Sequence, residues 1–243
     1  MKAIKKIASM ALAAAMALSA LPALCEDAPA QPVLNARVKD VIQVDGYEFK
    51  DLNDNGALDP YEDWRLTPQE RAENLLSFMD ASQKAAQMVH LTLVTKKDSW
   101  FAKDNVGFAL VYEYIFDTAE ADAEEDGDEE AEGGEAQAVG SARNAARLTN
   151  EIQELSESAE LGIPIIFSMD TEAGAAFVKD ATFLPDEINL GAANDPELTE
   201  KYYQVLKEEL AAMGVRMALS PDADLITDPR WGRNQECYSE DTQ

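Results

Sequence analysis

The sequence contains one histidine, His90, and two cysteines, Cys25 and Cys237. So few ligands cannot assemble a Cys/His zinc cluster, a disulfide framework is excluded, and a Ser-His-Asp triad would have to run through His90. Basic residues are scarce too: 20 Lys and Arg stand against 47 Asp and Glu in 243 residues, for a formal charge of -27. A surface this negative repels a polyanion, so nucleic-acid binding through phosphate contacts is excluded. No glycine-rich phosphate loop follows any expected strand, which sets back the nucleotide-binding α/β folds. Apolar residues, in contrast, make up 46% of the chain, enough for a sizeable core in one or two domains.

Lys2, Lys5 and Lys6 precede an apolar run from Ile7 to Leu21, closed by Pro22 and small residues. Residues 1–25 therefore read as a secretory signal, too short to span a bilayer, with cleavage expected near Cys25-Glu26 or near Ala30. A lipoprotein anchor at Cys25 is the rival reading, set back by the bulky Leu24 beside it. The expected location is secreted or periplasmic, with no membrane span. Residues 26–47 follow as an exported leader or linker. Much of the acidic excess sits between Asp117 and Glu135, where eleven Asp or Glu occur with no Lys or Arg. Such a run cannot compact without self-repulsion, so 117–141 is expected to be a solvated insert. A calcium buffer or partner-binding segment is the functional alternative.

Thr67-Pro68-Gln69-Glu70 predicts a helix start with a capping box, and Leu75, Leu76, Phe78 and Met79 its apolar side. A second helix is predicted from Ser82 to about Leu91, with Ala85, Met88 and Val89 facing in. His90, beside that stripe, reads as an ordinary packed or half-exposed side chain without a partner rather than as a catalytic base. Val106–Phe116 suits a strand. Ala145, Leu148, Ile152, Leu155 and Ala159 recur at helical spacing, so Arg143–Glu160 is predicted as an amphipathic helix. Pro164–Met169 reads as a buried strand ending at Asp170. A helix begins at Asp195-Pro196, with Leu198, Tyr202, Val205, Leu206 and Leu210 on one face, and Val215–Leu219 is the next strand. Apolar strands alternating with helices imply a parallel α/β sheet, either a barrel or an open doubly wound sheet. In both, the ligand end lies where strands give way to helices, and that end carries Asp170, Glu172, Asp222, Asp224 and Arg233.

Between the leader and the first helix, Asp51 to Glu62 fits the twelve-residue EF-hand loop. Side-chain oxygens of Asp51, Asn53, Asn55, Asp59 and Glu62 fall at its first, third, fifth, ninth and twelfth places, Gly56 at the sixth, and Ala57 offers a backbone carbonyl at the seventh. This predicts a structural Ca2+ clamp within 48–66, with Phe49 and Trp64 as packing anchors. An Asn/Asp-rich turn capping a helix at Asp59 would use some of the same residues.

Leu161-Gly162-Ile163-Pro164-Ile165-Ile166-Phe167-Ser168-Met169-Asp170, and then Leu219-Ser220-Pro221-Asp222-Ala223-Asp224 through Asp228-Pro229-Arg230-Trp231-Gly232-Arg233, resemble glycoside hydrolase family 3. The closing Asn234-Gln235-Glu236-Cys237-Tyr238-Ser239-Glu240-Asp241 is similar to the family's run ending in Glu-Asp-Pro. The resemblance covers roughly 48–243 and implies an incomplete (β/α)8 TIM-type barrel over 67–243, interrupted by the acidic insert. It further implies a retaining hydrolase of β-linked sugars, of the β-glucosidase or β-xylosidase kind. Asp170 matches the family's aspartate that accepts from sugar hydroxyls, and Arg233 the arginine that donates to them. Trp231 reads as a residue packed under the loop that orients Arg233, or alternatively as an apolar platform, and Arg230 with Glu236 as a supporting ion pair. The family's nucleophilic aspartate, its Lys-His pair and its acid/base glutamate fall later than Gln243. The chain is therefore expected to be a fragment of a longer enzyme or a truncated gene product, with no catalytic residue of its own, inactive alone, and to need no catalytic cofactor. The run Thr171-Glu172-Ala173-Gly174 departs from the His-Gly or Gly-Gly that often follows the aspartate. A non-catalytic secreted carbohydrate-binding relative and a calcium-binding acidic surface protein are the competing readings.

Overall fold

The computed structural model describes residues 29–93, 101–112, 141–176 and 178–241. The signal segment 1–25 and the acidic run Asp117–Glu135 lie outside the described residues. Residues 1–33 and 34–243 form two units, and the fold below is that of the second.

The leader expected over 26–47 ends in a β-hairpin. Strands β1 (Val41–Val44) and β2 (Tyr47–Lys50) pair antiparallel around Asp45-Gly46, both with positive φ, 54° and 84°. An Asp-Gly pair accepts that turn because aspartate tolerates, and glycine freely adopts, the left-handed region. Phe49 on β2 is fully buried and stacks on Trp64 at 5.5 Å between ring centroids, with the Arg65 guanidinium 4.8 Å over its ring. Both expected anchors are thus in place.

Helix α1 (Pro68–Phe78) carries the predicted capping box: Glu70 N–H donates to Thr67 Oγ1 and Thr67 N–H to the Glu70 carboxylate. Its apolar side differs from expectation, for Leu76 and Phe78 are 49% and 44% exposed, Leu75 and Met79 pack against Leu161 and Ile163, and Phe78 meets the Tyr61 ring, 5.7 Å between centroids. Helix α2 (Ala81–Gln87) is capped by Asp80 and stops three residues before His90. The chain turns there because β4 begins directly against it: a Cβ on Gly107 would lie 2.2 Å from the Gln87 carbonyl oxygen. Met88 and Val89 are consequently exposed rather than facing in.

Strands β3 (His90–Leu93), β4 (Phe108–Val111), β5 (Ile166–Met169) and β6 (Met217–Ala218) form one sheet in that order, every pairing parallel. Helix α3 (Ala142–Glu157) joins β4 to β5, burying Ala145, Leu148, Thr149 and Ile152 against the sheet. Helices α4 (Glu187–Ala193) and α5 (Pro196–Ala212) lie between β5 and β6. Tyr202, Leu206 and Leu210 give α5 its buried face, whereas Leu198 and Val205 are 46% and 38% exposed. Thr149 Oγ1 donates to the Met213 carbonyl at 2.8 Å and so ties α3 to the end of α5. The parallel α/β sheet expected from the strand-helix alternation is therefore present, with β3 and β6 at its two edges among the described residues. Beyond it, β7 (Asp222–Leu225) pairs parallel with β8 (Cys237–Ser239) across a 3-10 turn at Asn234–Glu236.

Candidate sugar-binding site

Asp170 directly follows Met169, the last residue of β5, and Arg233 lies between β7 and β8. The two are 63 positions apart, yet they line one cleft of about 350 Å³ together with Tyr112, Glu172, Asp186 and Glu236. Strand polarity sets the place of Asp170, since in a parallel sheet every strand delivers its C-terminal loop to the same edge, and the chain that leaves β6 brings Arg233 there through the separate β7–β8 pair.

Arg233 is held by carboxylates. Its Nε donates to Glu236 at 2.9 and 2.8 Å, Nη2 also reaches Glu236, Asp222 stands 3.3 Å away, and Glu172 lies at 4.0 Å. These partners, Glu236 first, push the guanidinium further up, so its charge is permanent. Yet 56% of its side-chain surface stays exposed, which leaves the donor fork a face toward the cleft. Burial pushes the Glu172 carboxyl up, and Asp170, Glu236 and Asp222 push it in the same direction. A carboxylate at 170 can accept from vicinal hydroxyls while a fixed guanidinium donates to another, the kind of charged hydrogen bonding by which a neutral, hydroxyl-rich ring is oriented.

Three expectations around this cleft are corrected. Arg230 pairs with Asp228, Nη2 to Oδ2 at 2.6 Å, rather than with Glu236, because the two-residue Asp-Pro-Arg spacing closes that bond locally and Arg233 occupies Glu236. Trp231 is 41% exposed, so it does not pack under the loop, and it is not among the residues lining the cleft. His90 has a partner: its Nε2 lies 2.7 Å from Ser168 Oγ, across the sheet on β5. Ser168 is fully buried, which makes the pair a sheet tie and not an accessible nucleophile. Glu172 and Asp222 were legible as residues of the strand ends, but Tyr112, Asp186 and Glu187 carried no usable signal. An acidic pair at a helix start reads as ordinary dipole complementation.

The Asp51–Glu62 loop closes on itself. Asp51 accepts from the amides of Asn55 and Gly56 at 3.0 and 2.8 Å. Glu62, 4% exposed, accepts from Leu52 at 2.7 Å and Asp59 at 2.9 Å. Asn53 and Asn55 turn their amide nitrogens to Asp59 Oδ2, at 2.8 and 2.7 Å, and the Asn55 oxygen accepts from Ala57 N–H. Every residue of the expected ligand set thus takes part in the turn. Among the described residues no group of three His, Cys, Asp or Glu side chains is arranged to hold a metal ion. Burial raises the Glu62 carboxyl, with Asp59 adding to the effect against the backbone donors that lower it.

The chain is 33% identical over 243 residues to a periplasmic beta-glucosidase/beta-xylosidase of Dickeya chrysanthemi, a match covering 92% of this chain and 34% of the relative. It is 30% identical to a probable beta-glucosidase C of Aspergillus oryzae, over 81% of this chain and 30% of that one. The chain thus spans about a third of the length of the curated relatives it matches. A crystal structure of an exo-1,3/1,4-beta-glucanase variant from a Pseudoalteromonas species superposes with a TM-score of 0.55 at 27% identity, covering 72% of this chain and 26% of that one. The pattern of the glycosyl hydrolase family 3 N-terminal domain matches residues 118–243, which include Asp170, Arg233 and every carboxylate around them, and the chain belongs to that family.

Proposed function

We propose that this chain supplies the sugar-binding part of an exported, retaining glycoside hydrolase acting on β-linked glucosides or xylosides. The observation that carries the reading is the convergence of Asp170 and Arg233 on one cleft at the C-terminal edge of a parallel sheet. The sheet is read as part of a (β/α)8 barrel, in keeping with the family. Asp170 accepts from two ring hydroxyls, and Arg233, braced by Glu236 and Asp222, donates to the same ring. Retaining chemistry needs two carboxyl groups about 5–5.5 Å apart, one as nucleophile and one as acid/base. Neither role is assigned to a residue here, so the isolated chain is expected to bind without hydrolysing. Export rests on the signal pattern in residues 1–25 and agrees with the periplasmic relative.

Calorimetric titration of the chain with methyl β-D-glucoside and methyl β-D-xyloside tests the reading. One site is expected, weakened at least tenfold by Asp170→Asn and by Arg233→Ala. Binding that neither substitution affects would refute it. The Asp51–Glu62 loop is proposed separately as a Ca2+ clamp, supported by its five oxygen-bearing side chains on one turn. Rotating two side-chain amides would turn the oxygens of Asn53 and Asn55 toward an ion, leaving the Ala57 carbonyl to complete the set. Titration with CaCl2 should show a single site lost in Asp51→Ala, and no heat would leave the loop as the self-closed turn described above.

A further inference from the structure

Glu187 opens α4 immediately after the cleft residue Asp186. It is fully buried, and neither carboxylate oxygen has a hydrogen-bond partner. The hydroxyl of Tyr202 on α5, which interacts electrostatically with Glu187, is likewise buried without a side-chain partner. A carboxylate in such a place is strongly disfavoured unless it is paired, whereas a neutral acid sheds the charge and keeps one O–H to donate. The 3-10 turn packed against α4 brings Glu236, already paired to the Arg233 cation, and the groups whose charge acts most on Glu187 are acids. They are Glu172 on the loop after β5, Asp186 on its own element, Asp222 on β7, and the phenols of Tyr202 and Tyr203 on α5 and Tyr238 on β8.

The position of α4 gives this group leverage. The helix packs against the 3-10 turn Asn234–Glu236 and against β8. The approach is so close that a Cβ on Gly191 would sit 1.8 Å from the Tyr238 carbonyl oxygen. That turn carries Glu236, the principal brace of Arg233. If Glu187 ionises, it can recover hydration only by opening the first turn of α4, and the tight α4–β8 contact transmits the displacement to Glu236 and Arg233.

We infer that Glu187 is a positioning residue, which props the Arg233 loop in place as a neutral acid and loosens it on ionising, so that the cleft is fully assembled only in acid to neutral solution. Burial first, against the opposing pull of its own backbone amide, and then Glu172, Asp186 and Asp222 push the carboxyl up to about 7. The inference concerns the geometry of Arg233 and stands whether or not the cleft takes a sugar.

The test is a pH titration of the 243-residue chain by NMR, following the Glu187 carboxyl carbon and the Arg233 Nε–H from about pH 5 to about pH 9. Both resonances are expected to move with one midpoint at about 7 in the wild type. In Glu187→Gln, a neutral mimic of the protonated acid, the chain should stay folded and the Arg233 resonance should lose that transition. An ordinary midpoint for Glu187, an Arg233 signal that ignores it, the same Arg233 curve in the Gln variant, or an unfolded Gln variant would each overturn the inference. Sugar calorimetry run beside it reads the substrate assignment alone, so failure there is separable.

Discussion

At the scale of single residues, the cleft depends on charges whose partners are fixed by short sequence distances. Arg233 and Glu236, three positions apart, form a fork that needs no other element, while Asp222 and Glu172 add restraint from elsewhere. Lysine retains the charge but not the planar fork, so Arg233→Lys should weaken glucoside binding about tenfold or more, measured by calorimetry. Glu187 yields a stability prediction as well. Its folded carboxyl titrates at about 7, above the ordinary value of 4.5 that holds for the unfolded chain. Its neutral form therefore contributes stability that is fully present below that lower value and is lost as pH rises through 7. At about 1.4 kcal/mol per pKa unit, the loss amounts to a few kcal/mol. Urea unfolding at a series of pH values should show the wild type weakening over that window relative to Glu187→Gln.

At the scale of elements, the clearest signals were those completed within a few residues. The Thr67/Glu70 capping box is in place as read, and the helix expected to begin at Asp195-Pro196 does so with Asp195 as its cap, because each closes its bonds within one helical turn. Thr67→Ala should cost about 1 kcal/mol, read as a lowered urea midpoint. Where a neighbouring element decides, local reading misleads. The helix predicted to Leu91 stops at Gln87 because Gly107 brings β4 against its last carbonyl, and no spacing within 82–91 announces that. Gly191 behaves in the same way: its need for a bare Cα comes from β8, far along the chain. Gly191→Ala should destabilise by about 2 kcal/mol or more and lower the thermal midpoint, since the clash is with backbone rather than a movable side chain.

At the scale of the whole molecule, the described sheet has two edges, β3 and β6. Beside β6 an apolar groove is lined by Tyr203, Leu206, Leu210, Val215 and Ala218. Unpaired strand edges beside apolar surface favour association, and a charge of -27 opposes it. The balance is salt-dependent. Sedimentation at low ionic strength should find mostly monomer, and screening at about 1 M salt should shift the chain to larger species. An unchanged distribution would show that the edges are protected.

The sequence by itself determined the alternation of strands and helices, the Thr67 capping box, and the family to which Asp170 and Arg233 point, because periodicity, capping and short motifs are written into neighbouring residues. Only the tertiary structure decided that those two side chains share a cleft. It alone decided that Glu236 serves Arg233 and not Arg230, that His90 meets Ser168, and that Glu187 is sealed without a partner. Each of these depends on which distant segments the parallel sheet brings to one edge, and desolvation is set by that packing rather than by any residue's own neighbours in the chain.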